Sequence, residues 1–142
     1  MKTRIKLEVV SIEDDGLHLF LPARINGRQA RFLVDTGASR TVVDQARIVE
    51  KFKVDGTAFQ KLDTLSAGLG TNTMESHLIV LNTLSFGRMI LKDYKAAALD
   101  LKHVNQSFGQ LKFRKIDGVI GGDLLHRLKA VIDYKRKEIR LG

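Results

Sequence analysis

An acid closing an apolar run is the feature that most restricts this chain. In residues 30–44, ARFLVDTGASRTVVD, the apolar Phe32, Leu33 and Val34 lead straight into Asp35, Thr36 and Gly37. If the run is a buried strand, its terminal carboxylate must reach solvent or a partner, because an unpaired charge is expensive to bury. The strand must therefore stop at Asp35, and Asp35 is either a turn carboxylate or half of a catalytic pair.

The flanking sequence says how that strand arises. Asn26-Gly27 separates two apolar-rich runs, 17–25 and 29–34, and this dipeptide marks a tight hairpin because both turn positions need positive φ. Residues 29–34 should thus return antiparallel and deliver Asp35 at their end. Pro22 suggests that the first arm is an edge strand or bulged. Residues 5–10 read as one further strand, and 42–52, with Val43, Ala46, Ile48, Val49 and Phe52 apolar, as a short helix or turn. Residues 61–80 hold a Gly-rich tip between two strand-like arms, and 81–99 a second pair of strands around Phe86-Gly87.

Towards the end, the apolar residues 118–120 are broken by Gly121-Gly122, and Asp123 is placed to cap a helix carrying Leu124, Leu125 and Leu128. Residues 130–133 and 138–141 complete a closing hairpin. LPARINGRQARFLVD from Leu21 and LNTLSFGRMILKDYK from Leu81 share a leucine start and a Gly-Arg turn at one offset. Two halves built as strand, Gly turn, strand suggest a pseudo-twofold β domain.

Composition removes several function classes. A chain of 142 residues fits one domain, 1–142, with a core that needs no disulfide or metal staple. There is no cysteine, so thiolate chemistry is excluded. His18, His77, His103 and His126 lie far apart with no ligand-spaced pair, so no metal and no cofactor is expected. Asp14-Asp15-Gly16 reads as a turn, Met74 and Met89 as packing residues. The charge of +8 raises nucleic acid as a partner, but the basic residues are scattered, so a solvated surface is expected and no nucleic acid. The N-terminus alternates apolar with charged residues, and no run approaches the roughly 18 apolar residues of a spanning helix. A cytoplasmic protein with no membrane contact is the expectation.

Asp-Thr-Gly alone is a weak signal, and its context strengthens it. FLVDTGAS at 32–39, the Gly-rich AGLG at 67–70 and DGVIGGDLL at 117–125 follow one another in that order. In this the sequence resembles the retropepsin-like aspartic proteases, the single-lobe relatives of pepsin found in retroviruses and bacteria. The resemblance runs roughly from Leu17 to Leu141, and the closing AVIDYKRKEIRL is similar to the bacterial branch. It implies an all-β acid-protease fold, a closed barrel-like lobe with a short helix in its C-terminal half, that assembles as a homodimer.

The chemistry of such an enzyme is hydrolysis by water. One carboxylate takes a proton from water while a second, protonated, donates to the peptide carbonyl. Two carboxyls about 3 Å apart cannot both ionise, so the pair shares one proton. This chain has a single Asp-Thr-Gly, so the pair requires Asp35 from each of two copies across a twofold axis. Asp117-Gly118 is a poor second acid, because it lacks the threonine and precedes its apolar strand.

The resemblance also implies supporting roles. Thr36 would bond across the axis, and Gly37 would turn the backbone and aim its N–H at the carboxylate. Ala38 and Ser39 would contact a peptide substrate, Gly68, Leu69 and Gly70 would form the tip of a closing flap, and Val119, Ile120 and Gly121 would form the strand behind the site. Ala38 carries no hydroxyl to stabilise the charged dyad, which moves its working range towards neutral pH. Ser39 stands where the retroviral pattern has an acid, and it lacks the setting of a serine nucleophile. Two further readings remain open: a non-catalytic peptide-binding or assembly module on the same fold, and a basic nucleic-acid-binding β protein.

Overall fold

The computed structural model describes residues 2–11, 16–55, 60–62, 76–111 and 113–142. Its first hairpin forms where two consecutive residues accept left-handed backbone. Asn26 and Gly27 have φ of 50° and 80°, and they join β3 (Leu17–Ile25) to β4 (Arg28–Val34) antiparallel. A second hairpin joins β7 (Ser76–Phe86) to β8 (Met89–Leu99) through Gly87, at φ 58°. The hairpins meet edge to edge, Arg24 opposite Ser85 and Ile25 opposite Leu84.

Two short strands complete the ring. Between the hairpins lie β5 (Val42–Asp44) and β9 (Gly118–Ile120); β9 pairs parallel with β4 and antiparallel with β5, and β5 pairs parallel with β8. The resulting order β3-β4-β9-β5-β8-β7 closes where β7 meets β3, giving a six-strand barrel. In both directions from that seam, each half presents a hairpin and then a parallel pair, and β9 and β5 meet antiparallel. That is the pseudo-twofold the repeat at Leu21 and Leu81 suggests. Alongside, β2 (Glu8–Ser11) extends β3 and β6 (Gln60–Leu62) extends β7, while β1 (Thr3–Lys6), β11 (Glu138–Leu141) and β10 (Val131–Asp133) form a separate three-stranded sheet. Phe32 of β4 and Phe86 of β7 meet edge to face in the interior, centroids 5.6 Å apart, each fully buried.

Several expectations need correction. Residues 5–10 are two strands on different sheets: at Leu7 the side chain is buried and the N–H turns to the Lys137 carbonyl, so the chain changes sheet there. Residues 42–52 begin as β5, and only then does α1 (Gln45–Glu50) start, with Asp44 as N-cap accepting from the Arg47 N–H. The last helix, α3 (Gly122–Arg127), has Gly121 at its N-cap, and Asp123 lies inside the first turn. Pro22 is on a strand paired on both sides, but it sits where β2 has already ended, at Phe20, and β7 pairs only from Arg24. Sequence patterning also passed over α2 (Lys102–Gln110), whose polar sequence buries only Asn105 and Phe108. Asn105 brackets the main chain of Ile116, accepting from its N–H and donating to its carbonyl. The expected turn at 14–16, the Gly-rich tip at 67–70 and Met74 fall wholly or partly outside the described residues, and Met89 packs half-buried against the core.

One buried carboxylate ties the short strands together. The side chain of Asp117, just before β9, is fully buried and accepts from Arg47 Nε at 2.6 Å, Lys51 Nζ at 3.0 Å and the Arg31 N–H at 2.8 Å. Its own N–H donates to the Arg31 carbonyl, and its carbonyl accepts from the Asp44 N–H. These bonds join β4, β5, α1 and the start of β9. Both oxygens are committed, so Asp117 is a structural anchor and not a second acid. Asp117→Asn puts an amide N–H₂ where a carboxylate accepted three bonds, while Arg47 and Lys51 still reach solvent, so it is expected to lower stability by about 1–3 kcal/mol in urea unfolding. Adding Arg47→Met should recover part of that loss.

Candidate active site

The site begins where the β4 ladder ends. The Asp35 N–H still donates to the Ile120 carbonyl at 3.0 Å, which fixes the residue's height against β9. The chain then turns, with the Ala38 N–H donating to the Asp35 carbonyl and the Gly37 N–H donating to Asp35 Oδ1 at 3.0 Å. Asp35, Thr36, Gly37 and Ser39 are exposed and Ala38 is half-buried. An acid thus stands at a barrel mouth with its carboxylate open to solvent.

Gly37 acts through its N–H. The chain turns tightly here as expected, but the φ of Gly37 lies outside the left-handed region and an added Cβ would lie 3.4 Å from Asp35 Oδ1, so the turn does not itself demand glycine. The requirement for glycine falls instead on Gly121. A Cβ there would lie 2.7 Å from the Arg40 carbonyl oxygen and 2.8 Å from that of Ala38. The loop lies flat on this residue.

A clamp behind the loop holds it down. The Gly122 N–H donates to the Ala38 carbonyl at 2.7 Å, and the Asp123 N–H to that of Ser39 at 3.2 Å. Thr41, almost fully buried, donates its N–H and its hydroxyl to Asp123 Oδ1, and its hydroxyl oxygen accepts from the Gly121 N–H. Val119 and Ile120 pair with Leu33 and Val34 of β4. The structure therefore brings residues 35–39 onto 119–121, whereas Gly68, Leu69 and Gly70 lie outside the described residues. Sequence reasoning missed Thr41 and missed what Asp123 does; the aspartate after IGG was visible, but its partner 82 residues away was not.

Tyr94 of β8 completes this packing. Burial, then the Asp123 charge, push its phenol up to about 12, against the opposing effects of Arg127, a hydrogen bond with Thr41, and Arg40. The pseudo-twofold supplies a control for Asp35. Asp100 follows β8 as Asp35 follows β4, and its Oδ1 accepts from the N–H two residues on in the same way. There, however, Leu101 is buried and α2 begins at once, so no open loop forms. Among the described residues no group of three or more His, Asp or Glu is placed to hold a metal, and no helix is long and apolar enough to cross a membrane.

The sequence model of the aspartyl protease family matches residues 21–124, from the first barrel strand to α3. The chain belongs to the aspartyl protease family. Solved structures show the retropepsin form of its fold. A retropepsin-like aspartic protease from Rickettsia conorii superposes with a TM-score of 0.59 at 22% identity, covering 99% of this chain and 88% of that one. The EIAV protease, solved with an inhibitor, gives a TM-score of 0.57 at 18% identity, over 87% of this chain and 99% of that one. No curated protein matches the sequence significantly. The family match and the barrel fold are consistent with the bacterial branch of the retropepsin-like aspartic proteases.

Two outcomes test the clamp. Thr41→Val leaves the Gly121 N–H without its acceptor and is expected to cost about 1–3 kcal/mol, with faster amide exchange at Gly121. The raised phenol of Tyr94 favours its neutral form in the fold, so its stabilisation is complete below the unfolded value of 10 and is lost as pH rises through about 12. Unfolding at pH 9 and at pH 11.5 should therefore show a smaller drop for Tyr94→Phe than for the parent.

Proposed function

We propose that two copies of this chain, each a single retropepsin-like domain over 1–142, form an aspartic endopeptidase whose dyad is one Asp35 from each. The observation that carries this is the exposed Asp35 carboxylate on a loop clamped by main-chain hydrogen bonds, in a chain whose sequence holds a single Asp-Thr-Gly. A lone carboxylate can act as a base, but it cannot also donate to the carbonyl oxygen. A twofold partner supplies the second carboxyl by symmetry.

The roles divide along the loop. One Asp35 carboxylate activates water, and the protonated one donates to the scissile carbonyl. Thr36 bonds across the axis, and the Gly37 N–H keeps the carboxylate oriented. Ala38 and Ser39 contact the bound peptide, and Gly68, Leu69 and Gly70 close over it and exclude water. The peptide lies extended, held by main-chain bonds as an added strand. Stiffness suits this role, because proton transfer requires atoms held within hydrogen-bond reach.

The experiment is cleavage of a mixed peptide library from acid to neutral pH, with Asp35→Asn alongside. The expected outcome is a bell-shaped pH profile for the parent and a loss of about 10²–10⁴-fold in the variant, which keeps its fold and its dimer. Equal background cleavage by both proteins, with peptide still bound, would make the chain a binding module.

A further inference from the structure

Arg31, three residues into β4, carries charge into a cleft that the candidate active site does not use. The cleft, about 860 Å³, opens between β1, β2, β3, β4, the end of α1 and the segment after α2, and no residue of the 35–41 loop lines it. Lys6, Arg24, Arg31, Lys51 and Arg114 supply five cationic side chains, against one carboxylate from Glu8. Lys51 also serves Asp117 behind the wall. Lys6 and Arg24 make no ion pair among the described residues.

The arrangement around Glu8 is that of an occupied oxyanion site. Its Oε2 accepts from Arg31 Nη1 at 2.8 Å and from Arg114 Nη2 at 3.0 Å, so one oxygen bridges two guanidinium groups. Arg31 is held from below: its guanidinium carbon lies 3.8 Å from the Phe20 ring centroid, its side chain is only 11% exposed, and its buried Nε has no hydrogen-bond partner among the described residues. Arg114 is 77% exposed and Glu8 is 44% exposed. One cation is thus buried against a ring, and the carboxylate it pairs with reaches solvent.

We propose that this cleft binds the polyphosphate group of a small molecule, and that Glu8 is a built-in counter-anion which the ligand displaces. A phosphoryl oxygen can take the position of Glu8 Oε2 between the two guanidinium groups, whose fork geometry suits phosphate. A single carboxylate leaves most of the cleft's charge unmatched, whereas a phosphate chain concentrates several charges in a small volume. An extended acidic peptide presents same-facing side chains only about every 7 Å, too sparsely for cations converging on one concavity. A nucleic acid would call for a stripe of cations along its backbone.

The test is calorimetric titration of the full chain with sodium tripolyphosphate at about 0.15 M ionic strength, so that diffuse attraction is screened. Saturable binding at one site per chain is expected. Glu8→Gln should bind about tenfold more tightly, since it removes the competing anion, and Arg114→Gln about tenfold more weakly. Both changes are on solvent-exposed side chains, and circular dichroism confirms that the variants fold. Hexaglutamate peptide and oligodeoxythymidine are titrated in parallel at matched charge. The proposal is overturned by the absence of saturable binding to parent and Glu8→Gln, by affinity indifferent to both substitutions, or by tighter binding of the peptide or the oligonucleotide.

Discussion

The buried carboxylate of Asp117 is the interaction on which the rest of this structure depends. A three-residue strand such as β9 has too few ladder bonds to set its own position, yet it lies between β4 and β5 and gives the Asp35 loop its backing. Asp117 supplies the missing constraint. It draws on the Arg31 main chain, Arg47, Lys51 and the Asp44 N–H, so β9 can enter the sheet in one register only. A slip by one residue would leave a buried charge unpaired. With the near end fixed, the far end presents the Ile120 carbonyl to Asp35 and the bare Gly121 backbone to the loop.

The pseudo-twofold shows how one sequence plan produces two different ends. Asp44, at the end of β5, accepts from the Leu101 N–H after β8; Asp123, just past β9, accepts from the Thr41 N–H after β4. In each half, an aspartate at a helix start grips the segment that comes after that half's own hairpin. The two gripped segments differ in character. On one side a buried leucine and α2 cover the turn, and the patch around Phe20, Phe108 and Ile116 fills in beneath. On the other, Thr-Gly-Ala-Ser stays small and open around an acid.

Legibility in the sequence followed the range of the interactions. The Asn26-Gly27 hairpin, the long strands at 17–25 and 81–99 and the closing hairpin depend on residues close in sequence, and their turn chemistry could be read directly. The division of 5–10 into two strands depends on the Lys137 carbonyl, and β5 depends on β9 and β8. No local pattern carries those partners. The polar helix α2 escaped for a related reason: Asn105 is buried because Ile116 saturates its amide.

By itself the sequence determined that the chain belongs to the aspartyl protease family and carries a single Asp-Thr-Gly at the end of an apolar run. Those facts lie in contiguous residues, FLVDTGAS and VIGGD. Only the tertiary structure decided which groups hold the loop that carries that acid. The Thr41–Asp123 clamp, the close approach of the loop to Gly121 and the commitment of Asp117 to Arg47 and Lys51 each join residues far apart in the chain. Such pairs form because buried polar groups must find partners, and the packed fold sets which partners are within reach.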